Sequence, residues 1–217
     1  MPRYTLHLIS PASDPQQRAR DDVVDLTQKR VTDCLDRVLA QYDHFLAAKH
    51  YDIGLRIAPG YLPKGLFVVW NTYSPTDVIL SLRENLHELM QKYGREVESA
   101  IVHELHHLQR LWTVGYGDTL HQSLITEWLA CLAEVQHFPD QTMPYIHTTP
   151  DEINFLLSLY DKEKNITDYD HDRWFFGSGD LPIWAGYKLG YYLAKNRADS
   201  IKKTSWELVD QLVSPGG

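Results

Sequence analysis

The chain has little cysteine, no basic surplus and no long apolar run. Two cysteines, Cys34 and Cys131, exclude a disulfide-rich scaffold and a cysteine-based zinc finger. Two reduced thiols are the simplest expectation for them. The net charge is −8 and the pI about 5.7. A nucleic-acid binder would carry a basic stripe, and none is present. No run approaches the roughly 20 apolar residues of a membrane span. The opening segment has no apolar core of signal-peptide length. The expectation is therefore a cytoplasmic protein with no nucleic-acid partner and no membrane span. Oligomeric state is not legible.

What is present fits an ordinary folded domain. The chain has 217 residues, 43% hydrophobic and 23% charged, enough to bury a core. No repeat or long linker divides it, so a single domain over 1–217 is expected. Tyr4 to Ile9 reads as a first strand. Ala19 to Lys49 reads as one long helix, with Val23, Leu26, Val31, Leu35, Leu39 and Phe45 at helical spacing. Three β-like runs follow, Ile53 to Ile57, Leu66 to Trp70 and Asp77 to Leu82, separated by Pro and Gly clusters. Residues 1–84 thus hold a long helix and a small sheet.

Residues 85–217 read as mostly helical. Asn85 to Lys92 is expected to break at Gly94, and a second helix to run from Arg95 to Trp112. Asp118 or Thr119 caps a helix to His137. Asp151 to Tyr160, Pro182 to Ala194 and Ser205 to Leu212 complete the set. The fold class is α+β: a small N-terminal β-sheet, then a mainly helical C-terminal part.

Eleven histidines are many for this length, and three of them cluster. His103-Glu104-x-x-His107 is the H-E-x-x-H pattern. Residues four apart share a helical face, so two imidazoles can bind one zinc ion. Glu104 then sits beside the metal and can take a proton from the attacking water. With 11 His and 10 Glu, roughly 0.03 matches arise by chance, so the pattern is specific. Val97, Ile101, Leu105, Leu108 and Trp112 form an apolar stripe beside both histidines. His106 falls on the far side of that helix.

A third ligand is needed, with a fourth position kept open. Glu127 is the candidate, twenty residues after His107 on an apolar helix, where a lone carboxylate would be costly. Glu134 lies on nearly the same face and is the fallback.

The arrangement resembles the gluzincin class of zinc peptidases. The stretch from His103 to His107, then Tyr116-Gly-Asp-Thr-Leu-His-Gln-Ser-Leu-Ile-Thr-Glu127, with Trp174-Phe-Phe-Gly177 and Trp184-Ala-Gly-Tyr187, is similar to the YjaZ-like family of predicted zinc-dependent proteases. The likeness covers about residues 95 to 195. It implies a zincin-like fold, Zn2+ held by His103, His107 and Glu127, Glu104 as general base, and a peptide or protein substrate. A Tyr or His donor to the oxyanion is also implied. Tyr187 is preferred, with Tyr191 and His171 as alternatives. Asp77 to Leu82 resembles the edge strand along which such enzymes align substrate. Two positions depart from the pattern: Trp128 stands where a small glycine is usual, and Cys131 where an acid often supports a ligand histidine. An alternative reading is therefore a zinc-binding, non-catalytic interaction or regulatory protein on the same fold.

Overall fold

The computed structural model describes residues 3–9, 21–57, 68–82, 86–140, 143 and 147–210. The architecture is α+β, with a small mixed sheet and a mostly helical part. Strand β1 (Tyr4–Ile9) leads to helix α1 (Asp21–Tyr42), then to β2 (Tyr51–Ile57), β3 (Val68–Thr72) and β4 (Asp77–Leu82). Helices α2 (Leu86–Thr113), α3 (Leu120–His137), α4 (Pro150–Glu163) and α5 (Ala185–Ile201) follow. The chain divides into two compact units, Met1–Gln109 and Arg110–Gly217, with the boundary inside α2.

In the N-terminal unit the strand order is β1-β2-β4-β3. β1 and β4 run parallel to β2, and β3 pairs antiparallel with β4. Parallel neighbours need a crossover connection, and α1 supplies it between β1 and β2. Tyr51, Ile53, Leu55, Val78 and Leu80 are buried at alternate positions, as pleating requires. Helix α1 buries Val31, Cys34, Leu35, Val38 and Tyr42, one apolar stripe at helical spacing. Its Arg37 pairs with Glu98 of α2 at 2.5 Å.

Four expectations are corrected here. The long helix stops at Tyr42, where a 3-10 turn over Asp43–Phe45 tightens the end and Leu46 turns extended. Ala19 lies outside the described residues. Gly94 does not break a helix, because α2 runs unbroken through it. A mid-helix glycine costs only about 1 kcal/mol, less than the buried turns that follow contribute. The strand over Asp77 to Leu82 is not at the edge. It lies between β2 and β3, so both of its sides are paired, and β3 takes the outer position. Of the last expected helix, Ser205 to Leu212, the described residues form a 3-10 turn at Trp206–Leu208, and Gln211 and Leu212 lie outside them.

In the C-terminal unit α3 starts with a capping box. Thr119 Oγ1 accepts from the Gln122 N–H, and the Gln122 side chain accepts from the Thr119 N–H. α4 begins after Thr149, which accepts from the Glu152 N–H, with Pro150 at the first helical position. α5 begins at Ala185, not at Pro182. The Pro182 carbonyl instead accepts from the Ala185 N–H, and Trp184 occupies the left-handed region at φ 66°. The irregular stretch before it holds a π-helical turn at Asp172–Phe176, whose Trp174 is fully buried and donates to Glu163 at 2.9 Å.

α5 packs against α3 through glycine. A Cβ at Gly190 would stand 2.8 Å from the Cβ of Trp128, and one at Gly186 would meet the Phe175 ring. Gly190 thus makes room on α5 for Trp128 of α3. Gly190→Val is expected to destabilise by about 1–3 kcal/mol through overpacking, read as a melting temperature lower by about 2–4 °C for each kcal/mol. An unchanged melting temperature would show that α5 can shift away from Trp128.

Candidate functional site

The second half of α2 is buried on almost every side. Ile101, Val102, Leu105 and Leu108 are core residues, while Trp112 is 51% exposed and leaves the expected stripe. His107 is 3% exposed and His103 half-buried, so these are not two solvated surface histidines. Their rings meet edge to face with centroids 4.5 Å apart. Ligand atoms of the two lie within 4.8 Å of each other. Zinc–nitrogen bonds are about 2.0–2.1 Å long, so such a pair can share one ion. His106 is fully buried.

Glu104 is buried between the two histidines in sequence. Its Oε2 accepts a hydrogen bond from Thr72 Oγ1 at 2.6 Å. Thr72 is the last residue of β3, so the sheet edge reaches the carboxylate. α2 is further tied down by Gln109, whose side-chain oxygen accepts from the Ala47 N–H at 2.6 Å.

In the C-terminal unit Glu127 sits on α3 and is buried. Tyr116 Oη donates to Glu127 Oε1. The loop carrying Tyr116 is held in turn: Thr126 Oγ1 donates to the Tyr116 carbonyl at 2.9 Å, and Arg110 Nε donates to Thr126 Oγ1 at 2.9 Å. Arg110 also donates to the Val209 carbonyl at 2.8 Å. Burial pushes the Arg110 guanidinium down to about 10, against the pull of Asp210, and it stays charged at neutral pH. Ligand atoms of Cys131 and Glu134, both buried on α3, lie within 4.8 Å of each other. Neither Cys34 nor Cys131 forms a disulfide.

Tyr187 is half-buried on α5, edge to face with Phe175 at 5.3 Å and with Trp184 at 5.4 Å. It packs against the buried pair Cys131 and Met143. Cys131 is one helical turn beyond Glu127, so Tyr187 stands against the same helix. Tyr191 joins that cluster too, and burial raises its hydroxyl above the usual tyrosine range. His171 is about half exposed and stacks on Phe175 at 4.6 Å. His121 is buried and bonds to Tyr160.

Two contacts carried no sequence signal: Thr72 with Glu104, and Tyr116 with Glu127. Each joins residues whose spacing matches no periodic pattern, and loop or strand geometry alone sets the approach.

His103, His107 and Glu127 are candidate metal-binding residues among those described, as are Cys131 and Glu134. Imidazole and carboxylate suit a borderline divalent ion such as zinc. The class so defined is an α+β protein with candidate histidine and glutamate metal ligands. The chain belongs to the family of the predicted Zn-dependent protease (DUF2268), whose sequence model matches residues 73–211. No curated protein matches the chain, and no solved structure does. No helix among the described residues is long and apolar enough to cross a membrane.

Proposed function

We propose that the protein is a zinc metallopeptidase of gluzincin type on a zincin-like fold. The observation that carries the reading is the pair of half-buried His103 and buried His107, one helical turn apart, with Glu104 between them in sequence. Membership of a family described as predicted Zn-dependent proteases supports it. In this reading His103, His107 and Glu127 hold the ion, and residues 1–217 work as one functional domain. Bound zinc polarises a scissile carbonyl and acidifies a water molecule.

The chain's own groups do the rest. Glu104 takes a proton from the attacking water on its Oε1, the oxygen that Thr72 does not hold. It then delivers that proton to the departing amine. Tyr187 donates a hydrogen bond to the developing oxyanion. Tyr191 and His171 are the other candidate donors. The substrate is a peptide or protein segment laid along β3, because that strand is the antiparallel edge and ends at Thr72. The presence of Cys131 where an acid often supports a ligand histidine favours a second reading, a zinc-binding protein without catalysis.

The test is metal content by plasma mass spectrometry on wild type and His103→Ala. About one zinc per chain in wild type, lost in the variant, is the expected result. No zinc in wild type after reconstitution would end both readings.

A further inference from the structure

We propose that Thr72 is a positioning residue for the general base, acting through Glu104; the inference rests on the peptidase reading of Glu104 given above. The Thr72 hydroxyl donates to Glu104 Oε2 at 2.6 Å, a short and well-formed hydrogen bond. Both residues belong to the N-terminal unit. A glutamate side chain has three rotatable bonds, and burial alone does not select one orientation of its carboxylate. A hydroxyl carries one hydrogen and so binds one carboxylate oxygen at a time. The result is an asymmetric base: Oε2 is held and Oε1 is left to receive the proton.

The strand register explains why Thr72 reaches this group. Its neighbours Asn71 and Tyr73 are exposed, Tyr73 at 64%, and successive side chains on a strand point to opposite faces. Thr72 is thereby turned inward toward α2. It is also the end of the edge strand, so the backbone proposed to receive the substrate carries the group that aims the base. A substrate strand pairing with β3 would stiffen Thr72 and with it Glu104. Loss of the hydroxyl should therefore appear in kcat and leave KM nearly unchanged.

The experiment has two arms on the full chain. The first is a double-mutant cycle of melting temperatures on metal-free protein: wild type, Thr72→Val, Glu104→Ala and the double variant. A non-additivity of about 2–4 °C is expected for one such bond in a chain of this size. The second measures peptide hydrolysis by zinc-loaded protein. Thr72→Val should lower kcat about ten-fold with little change in KM and no loss of zinc, and Thr72→Ser should restore most of it. Additive melting shifts, an unchanged kcat, or Ser no better than Val would each overturn the proposal. A zinc-loaded wild type that cleaves nothing would end the peptidase reading and with it the role assigned to Thr72; the melting cycle then still tells whether the hydrogen bond exists.

Discussion

Glu104→Gln is expected to keep its zinc and its melting temperature while peptide hydrolysis falls by about 10²- to 10⁴-fold. The substitution conserves shape. The Gln amide oxygen still accepts the Thr72 hydroxyl, so the contact between β3 and α2 survives. What disappears is the carboxylate that takes a proton from water and returns it to the amine. Because the side chain is buried, bulk water cannot readily act in its place. The comparison needs a peptide library, mass-spectrometric detection of products and equal zinc occupancy in both proteins. Hydrolysis at the wild-type rate in Glu104→Gln would move the base elsewhere. Zinc-loaded wild type without hydrolysis would favour the non-catalytic reading.

The second large effect concerns the carboxylate on α3. Glu127→Ala is expected to weaken zinc binding by well over 100-fold, because it removes a ligand outright. Tyr116→Phe should weaken it by about 10- to 100-fold, since partners that orient a ligand are worth that much. The two should be non-additive, as Tyr116 acts only through Glu127. Competition titration against a chromogenic chelator reads all three variants. Full-affinity zinc binding by Glu127→Ala would transfer the ligand role to Glu134, the other buried carboxylate on that helix. Binding should also weaken on acidification in every variant, because protons compete for the ligand atoms.

Local periodicity was readable wherever one element settles its own ends. Tyr4–Ile9 and Asp77–Leu82 appear as strands over the bounds expected of them, and α3 ends at His137. These segments combine an unambiguous apolar pattern with a clear stop. Thr119 was one of two possible caps, and the Gln122 side chain three residues later selects it. Gly94 misled because intrinsic propensity was weighed without the packing that overrides it. Pro182 misled because a proline suited to a helix start is equally suited to the turn before one.

By itself the sequence determined the α+β class, the H-E-x-x-H spacing on one helix and the family to which the chain belongs, since each depends on residues close along the chain. The tertiary structure alone decided that β3 and not β4 is the sheet edge, that His107 and Glu104 are buried, that Thr72 bonds to Glu104, and that Tyr116 bonds to Glu127. Strand order and hydrogen bonds between separate elements depend on which surfaces pack together. That choice is a sum over many distant contacts, and no short stretch of residues records it.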